Sequence, residues 1–145
     1  MAESLVEKLR ADMNAARRER DKLRTLVLTT TLSEVKNRAI ELRRDVTDAE
    51  VLDVIGRAIK RRREAAEQIR AAGREELAAK EEQEAQLLQT YLPAQLSEAE
   101  VREYVRAAVA SGATTVGAVM SAVMPRVKGR FDGKETNRIV REELG

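Results

Sequence analysis

The sequence predicts an all-α fold, with an N-terminal four-helix unit followed by a small three-helix C-terminal tail domain. Three observations predict it. The 145 residues are 36% charged and contain only seven glycines and two prolines, so the strong helix formers Ala, Leu, Glu and Arg dominate. Apolar residues recur at three- and four-residue spacings, and no stretch alternates with the two-residue period of a strand. Four helix starts are also signalled: Ser4 with Glu7, Thr47 with Glu50, Ser97 with Glu100 and Asp132 with Glu135 read as capping boxes or close variants. In that pattern the first residue accepts from an orphan backbone N–H, and the glutamate three positions later reaches back.

The first helix follows Ser4 and carries Leu5, Leu9 and Met13 on one face. The polar stretch Arg17 to Asp21 permits a bend into a second helix bearing Leu23, Leu26, Val27, Thr30, Val35 and Leu42. A third follows Thr47, with Val51, Val54, Ile55, Ala58, Ile59, Ala66 and Ile69 as apolar positions, and Gly73 closes it by taking a left-handed cap. The fourth runs from Glu75 to about Tyr91, where Pro93 prevents continuation and pushes Leu92 towards an extended conformation. Residues 1–92 thus read as the N-terminal domain and residues 93–96 as a linker.

Residues 97–145 read as the tail, with helices over Glu98 to Ala110, Val116 to Met124 and Gly133 to Leu144. Gly112 separates the first two, and Pro125 with Gly129 breaks the second from the third. A domain this small is near the lower limit for independent folding. Its inventory of Val101, Val105, Val119, Val123, Val127, Phe131, Ile139 and Val140 nevertheless suffices for a compact core.

Composition narrows the function. The chain has no cysteine and no histidine, which removes disulfides, thiolate nucleophiles, zinc–sulfur sites, imidazole bases and imidazole metal ligands. No apolar run approaches the roughly 20 residues of a membrane helix, and the start Met1-Ala2-Glu3-Ser4 is unlike a basic signal peptide. The expectation is a soluble, cytoplasmic protein with no membrane partner.

Charge is segregated along the chain. Residues 1–74 hold 18 basic and 13 acidic groups, residues 75–104 hold 2 and 8, and residues 105–145 hold 7 and 4, so the net charges run +5, −6 and +3. The densest basic stretch is Arg57-Ala58-Ile59-Lys60-Arg61-Arg62-Arg63. Arg57, Lys60 and Arg61 share one helix face, and Arg63 with Arg70 lies on another. These cations read either as a phosphate-binding face or as a solvated one, with Lys60–Glu64 and Arg63–Glu67 pairs at i,i+4. Arg62 falls near the apolar stripe, where its stem would cover the core edge and its guanidinium would stay in water.

A second basic element is the segment Arg126, Lys128, Gly129, Arg130, Gly133 and Lys134, read as a loop leading into a helix N-terminus. Free N–H groups and the helix dipole favour anions there, and the glycines permit close approach of a phosphate backbone. Asp132 is expected to cap that helix and to fill part of the anion site. With only Tyr91, Tyr104 and Phe131 as aromatic residues, the chain has no stacking platform for single-stranded bases, so a nucleic-acid partner would be folded and read by shape and backbone.

No catalytic constellation emerges, and no cofactor or metal site is expected. Glu81, Glu82 and Glu84 fall on polar faces, where hydration should leave them ordinary. Thr29, Thr30 and Thr31 form a hydroxyl run without an assignable base, as expected of small packing residues in a helix.

Five segments carry a resemblance: Glu41-Leu42-Arg43-Arg44; Thr47-Asp48-Ala49-Glu50-Val51; Ala72-Gly73-Arg74-Glu75-Glu76-Leu77; Tyr91-Leu92-Pro93-Ala94-Gln95-Leu96-Ser97; and Met124 to Lys134, with Asn137 and Val140 beyond it. In this order and spacing they resemble the GatB/YqeY family, specifically its free-standing YqeY-like proteins. The resemblance implies an all-helical protein whose C-terminal part is similar to the tail domain of the B subunit of the glutamine-dependent aspartyl/glutamyl-tRNA amidotransferase. That tail is associated with holding tRNA, and related domains are fused to some glutaminyl-tRNA synthetases. It therefore implies tRNA or a tRNA–enzyme complex as partner, with an amidotransferase or aminoacyl-tRNA synthetase as the protein component.

The resemblance also implies association with carbon–nitrogen ligase activity using glutamine as amido donor. The chain departs from the full subunit in lacking its large catalytic body. The expected function is consequently a non-catalytic tRNA-binding accessory module. The alternatives are a ligase component acting only with partner subunits, and a protein-interaction adaptor using the acidic helix 75–91.

Overall fold

The computed structural model describes residues 3–145, which form seven helices and, among the described residues, no strand. They are α1 (Leu5–Arg18), α2 (Lys22–Leu42), α3 (Asp48–Ala71), α4 (Glu75–Gln89), α5 (Glu98–Ala110), α6 (Val116–Val127) and α7 (Gly133–Leu144). The chain divides into two compact units, the first ending at Leu92 and the second covering Pro93–Gly145.

In the first unit α1 packs along α2 and α3 along α4, and α2 joins the pairs through both α3 and α4. Leu9, Leu28, Val51, Ile55 and Leu88 are fully buried where these helices meet. In the second unit α5, α6 and α7 all contact one another around Val101, Val105, Val119, Val123, Val127, Ile139 and Val140. Burial of these aliphatic side chains, each contributing about 1.5–3 kcal/mol, holds the unit together.

The helix starts follow the capping chemistry only in part. Ser4 Oγ accepts the Glu7 N–H at 3.2 Å while the Glu7 carboxylate accepts the Ser4 N–H at 3.4 Å, and Thr47 with Glu50 forms the same reciprocal box. Ser97 makes the first half alone, accepting from Glu100. Asp132 corrects the expectation: it has extended N-cap backbone geometry, but its carboxylate makes no cap hydrogen bond. Instead its backbone carbonyl accepts from both the Thr136 N–H and the Thr136 hydroxyl. Two starts lacked a glutamate three residues on and so gave no box signal: Asp21 accepts from the Arg24 N–H, and Thr115 from the Ala118 N–H.

Helix ends show a further departure. Gly73, at φ +81°, closes α3 as expected: its N–H reaches Arg70 O and the Arg74 N–H reaches Ile69 O, the paired bonds of a Schellman motif. Arginines do the same work elsewhere. Arg20 (φ 59°) ends α1 and Arg43 (φ 57°) ends α2, each with the paired bonds back into its helix. A left-handed conformation costs a side-chain-bearing residue about 1–2 kcal/mol.

Pro125 does not break α6, which continues to Val127. Proline lacks the N–H that would reach Ser121 O, yet the helix continues for two residues beyond it. Arg126 is therefore a helical residue. α4 ends at Gln89, slightly before the expected boundary near Tyr91.

Candidate nucleic-acid interface

The four cations singled out on α3 do not act alike, because α3 packs against both α2 and α4. Arg61 is drawn to α2, with Nη2 2.7 Å from the Glu34 carboxylate. Arg63 turns to α4, donating to the Gln89 side-chain oxygen at 3.1 Å. Neither arginine uses an i,i+4 partner. Arg57 and Lys60 remain exposed with no carboxylate partner among the described residues. Arg70 is also occupied, bonded to Glu75 at 2.9 Å and to Glu82 at 2.7 Å, which raises its pKa and lowers that of Glu82.

Arg62 and Glu84 correct two further expectations. The Arg62 guanidinium is not left in water: its Nε lies 3.4 Å from the Glu84 carboxylate, and both side chains are largely buried. Glu84 is buried rather than hydrated, and burial, reinforced by the neighbouring Glu81 charge, raises its pKa despite Arg62. Loss of hydration outweighs the attraction of an arginine held at a loose distance.

In the second unit the basic segment is a helix end, a turn and a helix start. Arg126 projects from the last turn of α6 with its guanidinium 5.5 Å from the centre of the Tyr104 ring, a cation–π contact. Arg130 is partly structural, since its Nε donates to Ala94 O at 3.1 Å. Two more bonds reinforce this strap: the Leu96 backbone N–H donates to Arg130 O at 2.8 Å, and the Gln95 side-chain amide donates to Gly129 O. Gly129 has φ +76°, which a residue bearing a side chain adopts only with strain. Lys128 is exposed in the turn, and Gly133 and Lys134 open α7. The Asp132 carboxylate does not cap the first-turn N–H groups, so that end of the dipole retains its preference for anions.

Of the four remaining arginines of this unit, three are tied to carboxylates, while Arg141 donates to the Asn137 side-chain oxygen. Arg102 contacts Glu98 at 3.0 Å, Glu142 at 2.5 Å and Glu143 at 3.1 Å, and Arg106 contacts Glu143 at 3.1 Å. Arg138 joins Glu98, Glu135 and Glu142 at 2.6 to 2.8 Å. Hydrogen bonds in this network lower the pKa values of Glu98, Glu142 and Glu143 and raise those of the three arginines. The α5–α7 face thereby neutralises itself. No local signal in the sequence marks this network, whose links span 37 to 41 residues as well as single helix turns.

The turn just described lies in one of the quoted segments, and the strap onto Ala94 and Leu96 lies in another. A match to the family described as "Yqey-like protein" extends over residues 6–144. The chain belongs to the YqeY-like family. It is similar to "Altered inheritance of mitochondria protein 41, mitochondrial" of Pyrenophora tritici-repentis, with 29% identity over 145 residues, covering 95% of this chain and 80% of that protein. No described helix of the YqeY-like chain is long and apolar enough to cross a membrane.

The hydroxyl run of the YqeY-like chain is divided by its helix. Thr31 is buried and donates to Val27 O at 2.7 Å, whereas Thr30 is exposed. Thr29 Oγ is shielded from water without a hydrogen-bond partner. No group of three acidic side chains among the described residues is arranged to hold a metal ion. The same holds for histidine and cysteine, which the sequence lacks.

Proposed function

We propose that this YqeY-like chain is a non-catalytic, tRNA-binding accessory module related to tRNA-dependent amidotransferase. The observation that carries the reading is the contrast within the second unit. Arg102, Arg106 and Arg138 are bound into carboxylates, while Arg126 and Lys134, at the α6–α7 turn, have no carboxylate partner among the described residues, and Arg130 lies between them. Folded RNA is recognised largely through its backbone and shape, which suits cations on a rigid turn. Arg57 and Lys60 of α3 supply additional backbone contacts, while Arg61 and Arg63 contribute less because Glu34 and Gln89 engage them.

A titration of bulk tRNA with the full-length protein at several salt concentrations tests the reading. Each phosphate contact contributes about −0.9 to the slope of log K against log salt. Three contacts at the turn, from Arg126, Arg130 and Lys134, predict about a fortyfold loss of affinity between roughly 50 and 200 mM salt. Affinity no higher than that of an acidic control protein, or indifferent to salt, contradicts the reading.

Family membership favours a second reading, a component of carbon–nitrogen ligase activity with glutamine as amido donor, acting only with partner subunits. A glutamine-dependent transamidation assay with and without the protein separates the two. A rate increase supports the second, and an unchanged rate removes it.

A further inference from the structure

In the first unit α1 and α2 leave a cleft of about 660 Å³ on one side of the pair. Its lining positions on α1 run 6, 10, 13 and 17, and those on α2 run 29, 32, 36 and 39, so one face of each helix borders it along its length. From Ser4 to Arg17 this is about 20 Å at 1.5 Å per residue, a trough rather than a pit. The floor is apolar: Val35 belongs to the buried core, and Val6, Met13 and Leu32 are half-buried against it. Arg10 and Arg17 on one rim and Lys36 on the other are exposed, with no carboxylate partner among the described residues.

A polar atom in the wall is also unsatisfied. Thr25 and Thr31 return their hydroxyl protons to Asp21 O and Val27 O, each at 2.7 Å. Thr29, which lines the cleft, has a shielded hydroxyl without any partner. Leaving such a group unpaired costs about 1–3 kcal/mol.

We infer that the α1–α2 trough docks an amphipathic helix of about 13 residues from another protein, with acidic residues flanking its apolar ridge. The trough has the length of that helix, and helices pack by seating a ridge of i, i+3/i+4, i+7 side chains in a groove. Its unpaired cations call for anionic groups, and its apolar floor calls for an apolar ridge, which an acidic amphipathic helix supplies and an RNA backbone lacks. Glu7 and Asp45 border the end nearest Ser4, and Glu7 is engaged in the cap. The partner's carboxylates therefore lie over the stretch from Arg10 to Arg17 and opposite Lys36.

The test uses the full-length protein and a labelled 14-residue peptide with leucines at i, i+3, i+4 and i+7 flanked by glutamates, beside its lysine-flanked counterpart. Fluorescence anisotropy should show the glutamate peptide binding at least tenfold more tightly. The variant R10E/R17E/K36E, altered only at exposed positions, should lose at least tenfold. Amide resonances of Val6, Met13, Leu32 and Ala39 should shift on titration. Equal binding of the two peptides, unchanged affinity in the triple variant, or shifts confined to other helices overturns the inference. Binding of dodecanoate but neither peptide would assign the trough to a small amphiphile, and competition by tRNA would assign it to RNA. Either outcome also overturns the inference, whereas tRNA binding that leaves the peptide bound is compatible with it.

Discussion

The double substitution R126Q/K134Q removes two cations from the α6–α7 turn without touching the strap that Arg130 makes to Ala94. Neither residue is bonded to a carboxylate among the described residues, so both charges are available to phosphates. At about 0.9 of log–log slope per contact, the variant's salt dependence of tRNA binding should be shallower by about 1.8. At about 0.1 M salt the counterion term is worth nearly tenfold per contact, so affinity should fall roughly fiftyfold. The fold should survive: only the Arg126–Tyr104 contact is lost, worth about 0.5–1 kcal/mol at an exposed site. Arg138→Gln is the control, since Arg138 already serves Glu98, Glu135 and Glu142 and its removal should leave the slope unchanged. Anisotropy titrations of labelled tRNA at four salt concentrations, with circular dichroism to verify folding, make the comparison. A slope unaltered in the double variant, or altered as much by Arg138→Gln, would refute the assignment of the turn as the phosphate-binding element.

Other predictions concern the scaffold. Arg20→Gly and Arg43→Gly relieve left-handed strain at two helix ends and should each stabilise the first unit by about 1 kcal/mol in urea unfolding; destabilisation would mean that the arginine side chains matter more than their backbone. Glu50, held by Arg44 and the Thr47 N–H at a pKa of about 2, contributes stability that is present above pH 4.5 and lost as pH falls towards 2. Glu50→Gln should abolish that contribution, flattening the acid limb of a stability–pH curve. Glu84 has the opposite sign: its folded pKa is raised, so its contribution is present below pH 4.5 and lost as pH rises through the folded value. Relative to wild type, Glu84→Gln should therefore be more favourable at pH 7 than at pH 4, and a difference independent of pH would contradict the burial argument. Tyr91→Phe removes the 2.6 Å hydrogen bond from the phenol to Asp12 and should cost about 1–2 kcal/mol, measured by chemical unfolding.

What the sequence made legible was local chemistry. Ser4, Thr47 and Gly73 state the boundaries of α1 and α3 because their caps involve residues within five positions. The errors arose where a local signal met a tertiary one. Pro125 reads as a helix stop, yet α6 continues past it to Val127. Arg61 and Arg63 have glutamates at helical spacing nearby yet bond across helices to Glu34 and Gln89. Glu84 looks like one more surface carboxylate in an acidic run, and only the packing of α3 on α4 shows that it is buried beside Arg62. In the candidate interface, Arg126, Lys128, Arg130 and Lys134 were legible as cations. Which of them are bound elsewhere was not, because the Arg130–Ala94 contact spans 36 residues.

Lysine-acetylation footprinting of the full-length protein with and without bulk tRNA tests the binding account most directly, because the seven lysines are spread across regions with different assignments. The account predicts that tRNA protects Lys60 and Lys134 while leaving Lys22, Lys36 and Lys80 as reactive as in the free protein. Uniform protection of all lysines, or protection confined to those outside α3 and the α6–α7 turn, would contradict it.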